Sequence, residues 1–324
     1  MSDVVRRYCD LVTGYGQLTT FVAVAEGVKP VMDDWVAGPA LSDYTEFVTG
    51  LGLAMEVGPL FETLAESELA EITGGASLNT TRARAGLAAD SVVAGRTQVF
   101  VGHDAQRVLE AARAGWYNLV AEDRVVLKPW IDHYWFGRAL GYPDCCLDAF
   151  ARDGAWNLTN PYAAAAARTE GAALALCNPV MRHSGFGYLN HYPCRFDCPA
   201  SARYSASVRR ALLGHGTGLV ERADRYARAP YLLLSGWAGF GFDGVLEGTT
   251  VRYSVCWQVP TNKPNNAVAK LLSDGNRVEL VGNVLSVWRT DTFVGSYEIR
   301  ADHYAPEHPT FVDFRGSIDS PEPA

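Results

Sequence analysis

The chain reads as an α+β protein: a mixed α/β and helical core that bears cysteines, then a C-terminal antiparallel β subdomain. Three observations predict this. "TQVFVG" runs into "AQRVLEAARAG", a strand followed by a helix; helical patterns opened by proline and closed by glycine fill much of 129–215; and β-branched and aromatic residues broken by glycine dominate after Pro230.

From the N-terminus, Val4, Val5, Tyr8, Cys9, Leu11 and Val12 fall on one face and predict a helix. "TTFVAVAEG" reads as a strand, Ser42 caps a helix through "DYTEFVTGLG", and "LAMEVG" is extended. Glycine, alanine and threonine dominate 74–95, which reads as loop with short helical pieces. "TQVFVG" (97–102) is a strand, and Asp104 accepts from the exposed amides of the helix that Gly115 ends. Pro129 opens "WIDHYWFGRAL", stopped at Gly141, and Pro143 opens "DCCLDAFARDG". Asn160-Pro161 caps and starts "YAAAAARTEGAALAL", and a long helix runs through "ARYSASVRRALLGHG". After Pro230 the strands are interrupted by one short helix, "AVAKLLSDG", capped by Asn265 or Asn266. These readings divide the chain into 1–228, an antiparallel unit over 229–318, and a loose polar tail at 319–324.

Composition narrows the function classes. The 324 residues are 48% apolar and 20% charged, enough for a sizeable core. A net charge of −8 argues against duplex nucleic acid and against an anionic membrane surface, both of which need a basic face. "MSDVVRRYCDLVTGYG" has no long apolar run and no small-residue cleavage site, so no signal peptide is read. No apolar stretch approaches the ~18 residues that span a bilayer. A cytoplasmic protein is expected, in which the sequons at Asn79 and Asn157 are idle and the seven cysteines are thiols or metal ligands. Cys9, Cys177 and Cys256 lie scattered among apolar residues and read as small buried hydrophobes.

The other four cysteines come as two pairs, in "GYPDCCLDAF" (141–150) and "HYPCRFDCPAS" (191–201). Cys145 and Cys146 lie in the first turn of one predicted helix, and Cys198 lies at the start of another. Helix starts carry unpaired amides and the positive end of the dipole, so a thiol there gives up its proton more readily. Two pairs at the same kind of electropositive end point to a shared ligand. Adjacent helical cysteines diverge by ~100°. That suits an extended group with separate corners, such as an iron–sulfur cluster of the 4Fe-4S kind, better than one small ion. The three-residue gap of "CRFDC" leaves zinc open. "CRFDCPAS" also fits the first two positions of Cys-x3-Cys-x2-Cys, with Ser201 in the third; the antiparallel pattern that follows argues against the barrel that usually goes with that signature.

Gly-Tyr-Pro-x-Cys-Cys followed by His-x-Pro-Cys-x3-Cys-x2-Ser resembles an uncharacterised prokaryotic family, a domain of unknown function. "VFVGHDAQRVLEAA" is similar too, and the resemblance covers about 97–210. Tyr142, Pro143, Cys145 and Cys146 match its first motif; His191, Pro193, Cys194, Cys198 and Ser201 match its second. The resemblance implies a shared fold and names no activity.

Around the cysteines, His191 is a candidate ligand, acid/base or thiol activator, and Ser201 a candidate catalytic neighbour one turn into its helix. Arg182 and Arg195 are candidate clamps for a carboxylate or phosphate, in or beside the glycine-punctuated stretch 178–194, and Tyr142 is a candidate substrate contact. Asp132 and His133 read equally as a solvated face. "GFGFDG" (239–244) fits G-x-G-x-x-G, but no helix follows it, so it reads as a hairpin or bulge. The expectation is a metalloenzyme, an oxidoreductase or lyase, holding an iron–sulfur cluster on Cys145, Cys146, Cys194 and Cys198 and acting on a small polar metabolite. Two alternatives stand beside it: a metal-free enzyme pairing Cys194 or Cys145 with His191, and a non-catalytic binding protein stapled by zinc. The sequence carries nothing on oligomeric state.

Overall fold

The structure is a computed structural model of the 324-residue chain. It describes residues 1–12, 17–63, 84–86, 96–115, 133–153, 161–183, 185–235, 238–258, 266–299, 309–316 and 318. The fold is α+β, with two antiparallel sheets. The chain divides into two compact units, Met1–Leu147 and Asp148–Ala324.

In the first unit, α1 (Asp3–Leu11) is capped by Ser2, whose Oγ accepts from the Val5 amide at 3.3 Å. It is followed by α2 (Leu18–Ala25), β1 (Val31–Ala37), α3 (Leu41–Gly50), β2 (Ala54–Thr63), β3 (Arg84–Gly86), β4 (Arg96–Gly102), α4 (Ala105–Gly115) and α5 (His133–Ala139). The strands form a sheet in the order β1-β4-β2-β3. In register, Val31 and Ala54 both lie opposite Gly102, so β4 is central, and it is buried from Thr97 onward. Val108, Ala111 and Ala112 on one face of α4 pack with Val31, Phe100 and Leu140. The Asp104 carboxylate starts α4 as expected, accepting from the amides of Gln106 at 2.9 Å and Arg107 at 3.2 Å.

Two expectations for this unit are corrected. "TTFVAVAEG" is not a strand; it is most of α2, in which every residue from Leu18 to Val24 is buried. A helix buried all round carries no polar stripe, so its threonines, valines and phenylalanine imitate a strand. The strand comes later, in "VMDDWVA", where burial alternates along most of its length. Ser42 lies inside α3 rather than capping it, because a 3-10 turn at Gly38–Ala40 leads straight into Leu41. Of the 74–95 loop, only β3 lies within the described residues, and there the backbone is extended. Pro129–Asp132, Asn79 and Asn157 lie outside them.

The division between units falls inside α6 (Asp144–Arg152). The second unit continues with α7 (Pro161–Ala167), α8 (Pro199–Leu213), α9 (Thr217–Ala227), β5 (Pro230–Ser235), β6 (Ala238–Glu247), β7 (Thr250–Gln258), α10 (Asn266–Ser273), β8 (Arg277–Val281), β9 (Val284–Arg289), β10 (Thr292–Glu298) and β11 (Thr310–Asp313). Its seven-stranded antiparallel sheet, β10-β9-β8-β7-β6-β5-β11, is the one expected from the C-terminal pattern. Asn266 is the first residue of α10, and Asn265, Asn160 and the tail at 319–324 lie outside the described residues. "GFGFDG" is part of β6, with a register break between Asp243 and Gly244 that makes it the expected bulge. A Cβ on Gly244 would lie 2.0 Å from the Arg252 carbonyl.

The two-residue period of β5 ties this sheet to the cysteine region. Leu232 and Leu234 face one core with Phe242, Val251, Val268 and Leu272. Tyr231 and Leu233 face a second, with Tyr162, Met181, Phe314 and Phe196. Phe196 lies between Cys194 and Cys198 in the chain, so burying its ring sets the depth of that loop.

Candidate metal centre

Cys145 and Cys146 are presented by a tight reversal between α5 and α6. The Gly141 amide donates to the Arg138 carbonyl at 3.0 Å and the Tyr142 amide to the Gly137 carbonyl at 2.9 Å. That is a Schellman closure of α5, and it needs Gly141 at φ +79°. A Cβ at this position would also lie 2.6 Å from Cδ of Pro30. Lys29, beside that proline, is buried; its Nζ donates to the Leu140 carbonyl and lies 4.5 Å from the centre of the Tyr142 ring. The Pro143 carbonyl accepts from the Cys146 amide at 2.9 Å and from the Leu147 amide at 3.1 Å, which starts α6. Gly-Tyr-Pro is thus a helix stop, a packing ring and a helix start, and it delivers both thiols on the first turn as expected.

The second pair sits on a loop fastened at nearly every residue. The Cys198 amide donates to the Arg195 carbonyl at 3.2 Å, and Cys198 is the N-cap of α8 with Pro199 at the first helical position. α7 stops at Ala167, well short of the alanine-rich pattern, because the next two residues serve this loop. Arg168 Nε donates to the Cys194 carbonyl at 2.7 Å, and its Nη1 donates to Asp153 at 2.8 Å. Thr169 Oγ1 accepts from the Phe196 amide at 2.8 Å. The Leu174 amide donates to the Phe196 carbonyl at 2.8 Å, and the Gly171 amide to Asp197 Oδ2 at 3.1 Å. Asp153 directly follows α6, and Phe150 on that helix stacks on Tyr192 with ring centres 5.8 Å apart. The helix that begins with one cysteine pair is thereby anchored, at its far end, to the loop that carries the other.

The sulfurs of Cys145, Cys146, Cys194 and Cys198 all lie within 4.8 Å of one another, close enough to hold a metal. Cys145 and Cys146 are 3.9 Å apart at sulfur, so their divergence around the helix does not stop both from facing one point. All seven cysteines are thiols, none in a disulfide. Cys146 and Cys198 are buried, Cys194 is half-buried and Cys145 is exposed.

The remaining predicted residues fall around this cluster in different ways. His191 and Ser201 are buried, and His191 Nε2 lies 2.9 Å from Ser201 Oγ. That contact ties the residues before Cys194 to the first turn of α8, which Cys198 caps. Arg195 pairs with Asp197 at 3.4 Å and Glu170 at 3.7 Å, so its charge already faces carboxylates. Arg182 lies in the 3-10 turn Val180–His183, and its side chain is outside the described residues. Tyr142 packs under Lys29, and His133 opens the described part of α5.

Three contributors escaped the sequence reading. Nothing in the local sequence marks Arg168, which lies inside the predicted alanine-rich helix, or Lys29; their partners are remote in the chain. Cys177 is buried as expected of a small hydrophobe, yet its Sγ donates to the Cys198 carbonyl at 3.3 Å. Burial, chiefly, pushes the Cys177 thiol well up, and the neighbouring Cys198 adds to the shift.

Fold and site together define an α+β protein with a four-cysteine cluster able to bind a metal. Comparison with protein-family models, with curated proteins and with solved structures found no match. Among the described residues no helix is long and apolar enough to cross a membrane.

Proposed function

We propose that the protein is a metalloprotein whose centre is a single ion, zinc, held by the thiolates of Cys145, Cys146, Cys194 and Cys198. The spacing of the sulfurs carries this reading. Four thiolates around one zinc, at ~2.3 Å each, lie about 3.8 Å apart at the corners of a tetrahedron. A four-iron cube adds its own half-diagonal to that radius and spreads its thiolates to about 6 Å. The observed upper limit of 4.8 Å, with one pair at 3.9 Å, favours the single ion over the iron–sulfur cluster that adjacent cysteines suggest in sequence. When bound, zinc supplies a fixed double charge that keeps its sulfurs as thiolates.

The chain's own residues supply the rest. Arg168 holds the Cys194 carbonyl, Cys177 donates to the Cys198 carbonyl, and the His191–Ser201 bond braces the loop against α8. Such supporting bonds set the direction from which each sulfur points. His191 Nε2 is engaged by Ser201, which favours a bracing role over activation of a nucleophilic cysteine. The net charge of −8 keeps a small molecule, rather than a polyanion, as the preferred substrate class.

Anaerobic purification followed by metal analysis and an absorption spectrum tests the proposal. One zinc per chain in a colourless protein supports it. A brown protein with broad visible absorption and several irons per chain overturns it in favour of a cluster. A colourless chain without metal overturns both.

A further inference from the structure

The four cysteines are not equivalent. Cys146 and Cys198 are 2% and 1% exposed, and Cys194 sits half-buried with its carbonyl clasped by Arg168. Cys145 alone among the four is exposed, on the first turn of α6. Four thiolates leave a zinc site no open coordination position, so a reaction there falls on a sulfur, and access decides which one. Its chain neighbour Asp144 leads to charged and aromatic groups on α5. Asp144, next to Cys145 in the chain, is 3.8 Å from Arg138 Nε. The Arg138 guanidinium lies 5.5 Å from the centre of the Trp135 ring and 5.9 Å from that of Tyr134. Trp135 is 61% exposed, an unusual position for so large an apolar ring.

We infer that Cys145 is a metal-activated nucleophile, the corner of the centre that accepts an alkyl group from a small electrophile carrying a flat or anionic part. The inference rests on the zinc reading above and deepens it. Held on zinc, each of the four sulfurs would keep a lone pair for attack, and exposure then decides which of them reacts. In the step, a lone pair on Cys145 Sγ forms the new sulfur–carbon bond. The bond from that carbon to its leaving group breaks, and the leaving group departs as an anion with the bonding pair. The sulfur ends as a thioether, and nothing is oxidised or reduced. Trp135 offers a face to a flat group, and the outer edge of Arg138 offers donors to an anion.

The test treats the zinc-loaded full-length chain with limiting iodoacetamide, then maps the label by peptide mass spectrometry and measures zinc on the same sample before labelling. The expected result is label on Cys145 at least about tenfold faster than on Cys146, Cys194 or Cys198. Arg138→Ala should lower the preference of Cys145 for iodoacetate over iodoacetamide, and Cys256→Ser should leave the pattern intact. A chain with one zinc that resists labelling, or that labels first at Cys146, Cys194 or Cys198, overturns the inference while leaving the zinc centre standing. A chain without zinc removes both, and the metal measurement tells the two failures apart.

Discussion

The guanidinium of Arg168 spans two segments, donating 2.7 Å to the Cys194 carbonyl and 2.8 Å to Asp153. It therefore couples the end of α6 to the loop bearing the second cysteine pair. Arg168→Ala is expected to weaken metal binding by about 10–100-fold, as loss of a supporting bond around a metal does. Arg168→Lys should recover only part of this, because a lysine cannot reproduce the two-armed geometry. Chelator competition measures both, and an unchanged affinity in the alanine variant excludes the coupling.

Ser201→Ala removes the partner of His191 Nε2 at a buried site. The expected cost is about 1–3 kcal/mol in urea unfolding, the usual consequence of taking away a buried hydrogen-bond partner. Because the same bond holds the approach to Cys194, metal release should also quicken. A stability loss with metal release untouched would restrict the pair to ordinary core duty.

Gly141→Ala tests the reversal that presents Cys145 and Cys146. Its φ of +79° and the approach of Pro30 Cδ to 2.6 Å both oppose a side chain. The expected loss is about 1–3 kcal/mol, from left-handed strain plus a contact that must move. Thermal unfolding of the metal-free chain reads this cost without contribution from a bound ion. A melting temperature equal to wild type contradicts the geometry.

Asp34 on β1 accepts from the Tyr8 hydroxyl at 2.8 Å and from the Trp35 amide at 2.8 Å, yet burial raises its carboxyl from 3.8 to about 6. The folded state therefore prefers the protonated form. The associated stability is full below the unfolded value and is lost as pH rises through about 6, a change of roughly 3 kcal/mol. Asp34→Asn should consequently gain on wild type between pH 4 and pH 7 in urea midpoints. Parallel profiles for the two proteins refute the assignment.

Lys29 carries the opposite dependence. Burial lowers its ammonium from 10.5 to about 7, so the folded state prefers the neutral amine. The associated stability is full above the unfolded value and is lost as pH falls through about 7. Relative to Lys29→Met, wild type should weaken as pH drops from about 10 to about 7. A difference between the two proteins that stays constant over that range counts against a buried neutral lysine.

Elements whose chemistry is local are legible from short stretches of the chain. Asp104 announces α4, Pro143 announces α6, Cys198-Pro199 announces α8, and the alternation after Pro230 announces an antiparallel sheet, because caps, fixed proline torsions and two-residue burial are written within a few neighbours. Local pattern does not reveal α2, since a helix buried on every side leaves no polar stripe, nor the end of α7, since nothing nearby in sequence shows that Arg168 and Thr169 are needed by a loop 26 and 27 residues on. Two cysteine pairs at helix starts were legible as a candidate site. That their four sulfurs meet, that they lie close enough for one ion, and that Cys145 alone of them is exposed were decided by tertiary structure. The physical reason is that sulfur spacing and exposure depend on contacts remote in sequence, such as Phe150 on Tyr192 and Phe196 in the core beneath β5, and no short stretch of chain encodes them.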